Sequence, residues 1–375
     1  MTRTIIDLHV LQTVPPSNLN RDDTGSPKTA VYGGVRRARV SSQAWKRATR
    51  TAFKPLMDRS DLGLRTRQVV EMLGARIGQA NPALAAEAES LAKTVLERAG
   101  FKLKPARKKG APDEAEFLLF LSERQIAALA DAAVQAAAAG GDLKTALAEY
   151  DLKGLADQEH SIDIALFGRM VANLPELNVD AAVQVAHAIS VHAVDNEFDY
   201  FTAVDDHKSV DDEEDSGAGM IGTVEFNSAT LYRYATLDVD RLLDNLGDAE
   251  ATRRAVTAFV RAFLTSMPTG KQNTFAHRTL PDAVLVTLGS SQPANLVGAF
   301  ENPITGLDRP DQAARLLADH AGEVFTTYSL AHDKTWVVGV GKAGTALAEH
   351  GSRVSIDELV EQVAAAAAER LSVPA

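Results

Sequence analysis

Cysteine is absent from this 375-residue chain. Its absence excludes disulfide bonds, thiolate metal sites and cysteine nucleophiles, and it is typical of proteins in a reducing compartment. No apolar run approaches the roughly 18 residues that a membrane helix needs. The apolar stretch near the start is interrupted by Asp7 and His9, which is not the pattern of a signal peptide. We therefore expect a cytoplasmic protein without a membrane partner.

Basic residues are the minority among the charged ones. The chain carries 39 basic and 50 acidic residues, a formal net charge of −11. This balance argues against nucleic-acid binding by the whole surface, but it permits one basic groove. Between residues 36 and 54 the balance is reversed, because this segment holds basic residues and no acidic one. The basic residues of this segment are Arg36, Arg37, Arg39, Lys46, Arg47, Arg50 and Lys54.

A helix is predicted over residues 41 to 54, and Ser41 and Ser42 can cap its start. At about 100° per residue, the cations of this helix fall on one arc. These cations are Lys46, Arg47, Arg50 and Lys54. The residues nearly opposite, which we expect to pack against the protein, are Ala44, Trp45, Ala48 and Ala52. A row of cations suits a phosphate backbone, although a solvated basic face is an equally ordinary interpretation.

The rest of the pattern predicts an α+β fold. Residues 5–14 alternate like a half-buried strand, and residues 69–150 have the spacing of a helical subdomain. Strands are predicted over 183–191 and from residue 223 onward, and helices alternate with strands in the last third. The connection between those two strands holds seven acidic residues from Asp205 to Asp215. We interpret it as the tip of a protruding hairpin, and we expect the strands to join one sheet with the helical block inserted.

Four motifs occur in the order "LNRDD", "RVSSQ", "FTAVDD" and "GKQ". Together they resemble the backbone subunit of the type I-E CRISPR surveillance complex Cascade, called CasC. The resemblance runs from the first strand to about residue 300, and it is weaker in the helical block and the last 75 residues. It implies a palm similar to an RNA-recognition motif (ferredoxin-like), a helical finger domain and a thumb hairpin. The implied boundaries are palm 1–60, fingers 61–160, palm 161–192, thumb 193–224 and palm 225–375.

The resemblance also implies partners. Several copies would line up head-to-tail along one CRISPR RNA as a helical filament, and the target DNA strand would pair with the guide in antiviral defence. The other implied partners are the large, small, guide-end-capping and guide-processing subunits of Cascade. No cofactor, metal or catalytic residue is expected. A subunit that serves any guide should hold phosphate and ribose and leave the base edges free.

Roles are assigned by matching position with the family, in these motifs and in longer segments that also resemble it. These segments include "YGGVRRARVSSQAWKRATR", "DIALFGRM", "VAHAISVHAVDNEFDYFTAVDD" and "PTGKQNTFA". The residues implied to bind the guide are Arg21, Lys28, Ser41, Ser42, Gln43, Lys46, Arg47, Arg50, Arg169, Met170, Lys271, Gln272 and Asn273. The residues implied to interrupt the guide–target duplex are Tyr200, Phe201 and Thr202. A basic loop consists of Lys102, Lys104, Arg107, Lys108 and Lys109. It either contacts target DNA by charge alone or is a solvated loop, the interpretation that we favour.

Two alternative functions remain open from the sequence. Asp22 and Asp23 could bind a hard cation in a metal-dependent ribonuclease. We favour the ordinary interpretation, in which they cap turns or pair with arginines. A general coat protein of single-stranded nucleic acid would use the same groove chemistry. It would differ in binding unrelated RNA as well as CRISPR RNA.

Overall fold

The structure is a computed structural model that describes residues 3–140, 142–203 and 220–372. The acidic segment from Asp205 to Asp215, for which a hairpin tip was predicted, lies outside these residues. The described part is a mixed α+β fold, as the alternating sequence pattern predicted.

The strands of the described residues number fourteen. They are β1 (Ile5–Ser17), β2 (Thr29–Tyr32), β3 (Val35–Val40), β4 (Gly63–Thr66), β5 (Leu103–Lys104), β6 (Glu114–Ala115), β7 (Leu119–Ser122), β8 (Val183–Val185), β9 (Ala188–Ser190), β10 (Glu197–Ala203), β11 (Met220–Asp238), β12 (Ala283–Gly289), β13 (His332–Gly339) and β14 (Ser352–Arg353).

Thirteen α-helices are interleaved with these strands in the same residues. They are α1 (Ser42–Ala52), α2 (Val69–Ala80), α3 (Ala88–Arg98), α4 (Glu123–Ala138), α5 (Leu143–Ala146), α6 (Leu152–Leu155), α7 (Ile162–Phe167), α8 (Val239–Leu246), α9 (Ala249–Thr265), α10 (Gln272–Phe275), α11 (Arg309–Thr327), α12 (Gly341–Leu347) and α13 (Ile356–Ser372).

One ten-stranded sheet organises the fold. Its main order is β14-β13-β12-β1-β11-β9-β3-β2, and β8 and β10 also pair with β11. All of these pairings are antiparallel except that of β13 with β14. Strands from both ends of the sequence and from its middle therefore meet in one sheet, as predicted.

The first strand is buried on both faces, so the prediction of a half-buried strand is wrong. Ile6, Leu8 and Val10 face a core that includes residues of α9 and α13. The alternate face is buried too, since Asp7 is 3% and His9 0% exposed. A second core, which includes residues of α11 and α12, covers this other face. Alternation correctly separated the two faces of the strand, but it could not show that helices cover both.

Tyrosines from the neighbouring strand are hydrogen-bond partners of the polar side chains on this covered face. Asp7 accepts a hydrogen bond from the Tyr234 hydroxyl at 2.9 Å, and His9 Nδ1 lies 2.9 Å from the Tyr232 hydroxyl. Burial raises the pKa of Asp7 and lowers the pKa of His9 to about 3. Buried polar residues with partners inside the protein thus mimic the sequence pattern of an exposed face.

The helical block has a hydrophobic core of its own. This core includes Leu73, Val95 and Leu129 from α2, α3 and α4. Two small strand pairs, β4 with β7 and β5 with β6, also lie in this part of the chain and were not predicted. We call residues 63–160 the helical part below. The exact domain boundaries stay a prediction.

The strand predicted over 183–191 is interrupted, since β8 pairs with β11 near Leu237 and β9 pairs with it near Tyr232. Strand β10 lies inside the stretch that we had interpreted as a connection, and it pairs with residues 220–226 of β11. One strand, β11, therefore belongs both to this two-stranded ladder and to the central sheet. Within the described residues, no helix is long and apolar enough to cross a membrane.

Candidate nucleic-acid interface

Helix α1 begins where the sequence predicted. The hydroxyl of Ser41 accepts a hydrogen bond from the Ala44 amide at 3.3 Å and so caps the helix. Trp45, Thr49 and Phe53, spaced by four residues, are buried and anchor the helix to the sheet. The helix therefore has one firmly packed face, which leaves the remaining faces available for other contacts.

The predicted packing of the alanines of α1 is only partly right. Ala44, Ala48 and Ala52 are half-buried, and they line an open cleft. Thr49 and Phe53 are buried instead, and around the helix they lie on the other side of Trp45 from these alanines. Small side chains at the cleft wall leave room for a ligand to approach the helix backbone.

The cleft has a volume of ≈ 1630 Å³ and lies between three segments of the chain. These segments are residues 19–28, the exposed side of α1 and the loop 265–271. The cations that line the cleft are Arg21, Lys28, Arg47, Arg261, Lys271 and Arg278, and the acids are Asp22 and Asp23. Six cations and two carboxylates thus meet here, although the whole protein has a net charge of −11. The charge distribution makes this cleft a candidate site for a polyanion.

Predicted guide-binding residues from distant parts of the sequence meet in this cleft. Those that line it are Arg21, Lys28, Ser41, Gln43, Arg47 and Lys271. The α1 segment and the glycine–lysine loop therefore lie on one connected surface. Arg261 and Arg278 also line the cleft, but the sequence analysis did not identify them. Arg278 lies seven residues after Lys271 in the same loop region, and this proximity was the available signal.

A close backbone contact joins two walls of the cleft. At Gly270 an added Cβ atom would lie 2.3 Å from the carbonyl oxygen of Leu19, so a side chain cannot fit. Lys271 follows with a left-handed backbone, at φ 53°, and precedes the short helix α10. Gln272 and Asn273 lie at the start of α10, outside the cleft lining. The glycine therefore fixes the position of Lys271 relative to the segment that carries Arg21.

Asp22 is the cap of a turn. Its Oδ1 accepts hydrogen bonds from the Thr24 amide at 3.0 Å, the Thr24 hydroxyl at 2.7 Å and the Ser26 amide at 3.0 Å. These hydrogen bonds, that of the Thr24 hydroxyl first, lower the pKa of Asp22. This is the capping role that we favoured over a metal ligand. Among the described residues, no group of three or more potential metal ligands is found.

Lys46 and Arg50 lie outside the cleft lining, on the neighbouring side of α1. Partial burial lowers the pKa of Lys46. Arg50 Nε lies 3.0 Å from Asp163 Oδ2, and the Arg50 guanidinium carbon lies 4.7 Å from the centre of the Phe120 ring. Arg50 thus connects α1 to the helical part.

Arg169 and Met170 are adjacent but have opposite environments. Arg169 is 4% exposed, and its guanidinium donates to the carbonyls of Leu177 and Ala156 and pairs with Asp157 at 2.7 Å. Met170 is 81% exposed. The guanidinium group of Arg169 is therefore held by contacts inside the protein, whereas the side chain of Met170 is accessible to a ligand.

The three residues that are implied to interrupt the guide–target duplex are accessible in part. Tyr200 is 63% exposed on β10, Phe201 is half-buried and Thr202 is exposed. Phe201 lies opposite Gly222, where an added Cβ would come within 2.4 Å of the ring. The glycine thus allows the ring to cover the partner strand.

The basic loop lies in the helical part, around the short β5–β6 pair. Its five cations are exposed, and none of them forms an ion pair with another described residue. They are Lys102, Lys104, Arg107, Lys108 and Lys109. This arrangement agrees with a solvated loop and leaves contact with DNA as an untested prediction.

Comparison with known proteins identifies similar chains. The profile described as CT1975-like protein matches residues 6–362. A solved chain from a "CRISPR RNA-guided surveillance complex, pre-nicking" is 37% identical with a TM-score of 0.85, and the match covers 97% of this chain and 100% of that one. A chain from a second "CRISPR RNA-guided surveillance complex" is 31% identical with a TM-score of 0.73, with coverage of 96% and 99%.

Curated proteins give no match to this chain. The profile and the two solved chains nevertheless agree with each other over almost the whole length. The resemblance to the Cascade backbone subunit is thereby confirmed.

Proposed function

Because the chain belongs to the CT1975-like protein family, we propose that it is a subunit of a CRISPR RNA-guided surveillance complex in which it binds the guide RNA. In this role it is a non-catalytic backbone subunit. It holds the guide spacer and presents the guide bases for pairing with target DNA. Several copies assemble head-to-tail along one guide, and the complex supplies the remaining subunits.

The observation that carries this proposal is the concentration of positive charge in the cleft of an acidic protein. Arg21, Arg47 and Lys271 come from three separate segments and line the same cleft. Hydroxyl and amide groups of Ser41, Gln43 and the neighbouring threonines lie among the cations. Such a set suits phosphate and 2′-hydroxyl groups, which every guide has in common.

Exposed side chains outside the cleft supply the apolar part of the mechanism. In the proposed subunit, Met170 and the hairpin residues Tyr200, Phe201 and Thr202 separate stacked bases. Met170 and Tyr200 are large and mostly exposed, as a side chain that inserts between bases must be. The hairpin would contact the next copy, because a head-to-tail filament needs two different surfaces on each molecule.

The test combines Arg47→Ala with Lys271→Ala in the full-length protein. Binding of labelled CRISPR RNA is measured over a series of salt concentrations. We expect about a 10- to 100-fold loss of affinity and a salt slope smaller by about 1.4, since each lost phosphate contact removes about 0.7 for a single strand. The matched control is Arg315→Ala, an exposed arginine on α11, and it should bind like the unchanged protein.

Other outcomes would select another function. Equal binding of unrelated RNA and CRISPR RNA in a mixed pool would indicate a general coat protein. Unequal losses among different guide sequences would indicate base reading. Regularly spaced cleavage of complementary RNA in the presence of Mg²⁺, abolished by Asp22→Ala, would establish a ribonuclease.

A further inference from the structure

A cluster of charged side chains lies outside the cleft, where α1 meets the helical part. It consists of Arg50 from α1, Arg65 from β4, Phe120 from β7 and Asp163 from α7. We call these four residues the arginine joint. No role was assigned to Arg65 or Asp163 from the sequence.

Phe120 is the centre of the arginine joint. The guanidinium carbons of Arg50 and Arg65 lie 4.7 Å and 5.1 Å from the centre of its ring, within the range of a cation–π contact. Arg65 and Phe120 are direct partners in the β4–β7 ladder, whereas Arg50 approaches from α1. Phe120 is 3% exposed, so the surrounding residues hold its ring in place against both guanidinium groups.

The arginine joint holds more positive than negative charge. Asp163 pairs with Arg50 at 3.0 Å, and its Oδ1 also accepts hydrogen bonds from the Gly63 amide at 2.8 Å and the Ser161 hydroxyl at 2.7 Å. Within the described part of the chain, no other carboxylate pairs with Arg50 or Arg65. Two guanidinium groups thus face one carboxylate, which leaves an excess of one positive charge.

Arg67 is a nearby arginine whose guanidinium group has partners within the protein. Arg67, two residues further on, lies 3.4 Å from Glu114 and donates to the Ala115 carbonyl at 3.1 Å. Arg65 is exposed and has no such partner among the described residues. Partial burial and the charge of Arg50 lower the pKa of Arg65, while Asp163 raises it. The repulsion between the two arginines would be relieved by one more anion.

We propose that Arg50 and Arg65 together bind one phosphodiester group of the guide RNA. The inference rests on the proposed function and adds a binding residue from the helical part. A phosphodiester carries one negative charge, which equals the excess in the arginine joint, and guanidinium groups match phosphate oxygens geometrically. The bound phosphate bridges α1 and the helical part, because Arg50 lies on the first and Arg65 on the second.

The experiment compares Arg65→Ala with Arg76→Ala, an exposed arginine on α2 in the same helical part. We expect Arg65→Ala to weaken CRISPR RNA binding about three- to tenfold and to lower the salt slope by about 0.7. Arg76→Ala should leave both unchanged. Arg65→Lys should restore most of the salt slope but only part of the affinity, because the charge returns without the planar guanidinium group.

A second variant changes the charge in the opposite direction. Asp163→Asn keeps an oxygen that can accept from Gly63 and Ser161, but it removes the anion that competes with RNA. We expect it to bind CRISPR RNA more tightly, by about two- to fivefold, a gain that loss of a purely structural contact would not produce.

The outcomes separate this inference from the proposed function. If the unchanged protein binds no CRISPR RNA, the proposed function fails. If the unchanged protein binds but Arg65→Ala behaves like Arg76→Ala, the phosphate site at the arginine joint is wrong and the proposed function stands. Weaker binding by Asp163→Asn, with an unchanged melting temperature, would also contradict the phosphate site.

Discussion

Arg37 and Arg47 belong to the same basic segment, yet they have opposite surroundings. Arg37 is fully buried and donates to four backbone carbonyls, those of Tyr32, Ser190, Phe300 and Glu301. Arg47 is exposed and lines the cleft. The first guanidinium is satisfied by the protein, whereas the second is available to a ligand.

Other arginines of the chain are also buried and bonded to protein groups. Arg169 and Arg233 are buried like Arg37, and Arg233 lies 3.7 Å above the Trp45 ring while it donates to Gln12 and to the Phe263 carbonyl. Burial lowers the pKa of Arg233 to about 9. A cation in this protein is therefore a candidate for RNA binding only when its own protein contacts leave donors free.

The largest effect that we expect is on stability, and it concerns the buried Arg37. Arg37→Ala leaves four carbonyls without their donor, and at about 1 kcal/mol for each we expect the free energy of unfolding to fall by about 4 kcal/mol. Urea denaturation measures this loss. The control is the exposed neighbour Arg36→Ala, for which we expect a change below about 0.5 kcal/mol. Equal losses of unfolding free energy in the two variants would contradict the distinction between buried and exposed arginines.

A smaller effect concerns the pH dependence of stability. The folded protein holds His9 neutral down to its pKa of about 3, whereas the unfolded chain takes up the proton near pH 6.5. Stability from this residue is thus present above pH 6.5 and is lost as the pH falls, by about 2 kcal/mol between about pH 7 and pH 5. His9→Gln should show a shallower loss in thermal unfolding.

The smallest effect that we expect concerns Lys46, a cation on α1. Lys46 is half-buried and has no ion-pair partner among the described residues. We expect Lys46→Met to raise the free energy of unfolding by about 0.5–1 kcal/mol, because it removes a partly desolvated charge. If Lys46 also contacts the guide, the same variant binds RNA less tightly. A loss of stability on this substitution would mean that the lysine already has a protein partner.

The sequence predicted the elements better than the environment of their side chains. Helix α1 and its Ser41 cap were both predicted, because they depend on neighbouring residues. Of the cleft, the sequence suggested the α1 and glycine–lysine segments through family motifs. It could not show that Arg169 is internal or that Arg261 faces the cleft, because both facts depend on contacts between distant segments.

Strand β11 runs without interruption for 19 residues from the β10 ladder into the middle of the sheet, next to β1. At about 3.3 Å per residue, it is a rod with a contour of roughly 60 Å. A pull on the end at Met220 is consequently opposed by the backbone hydrogen bonds that join β11 to β1 between Asn227 and Asp238. Mechanical load on the β10–β11 ladder is thus transmitted directly to the centre of the ten-stranded sheet.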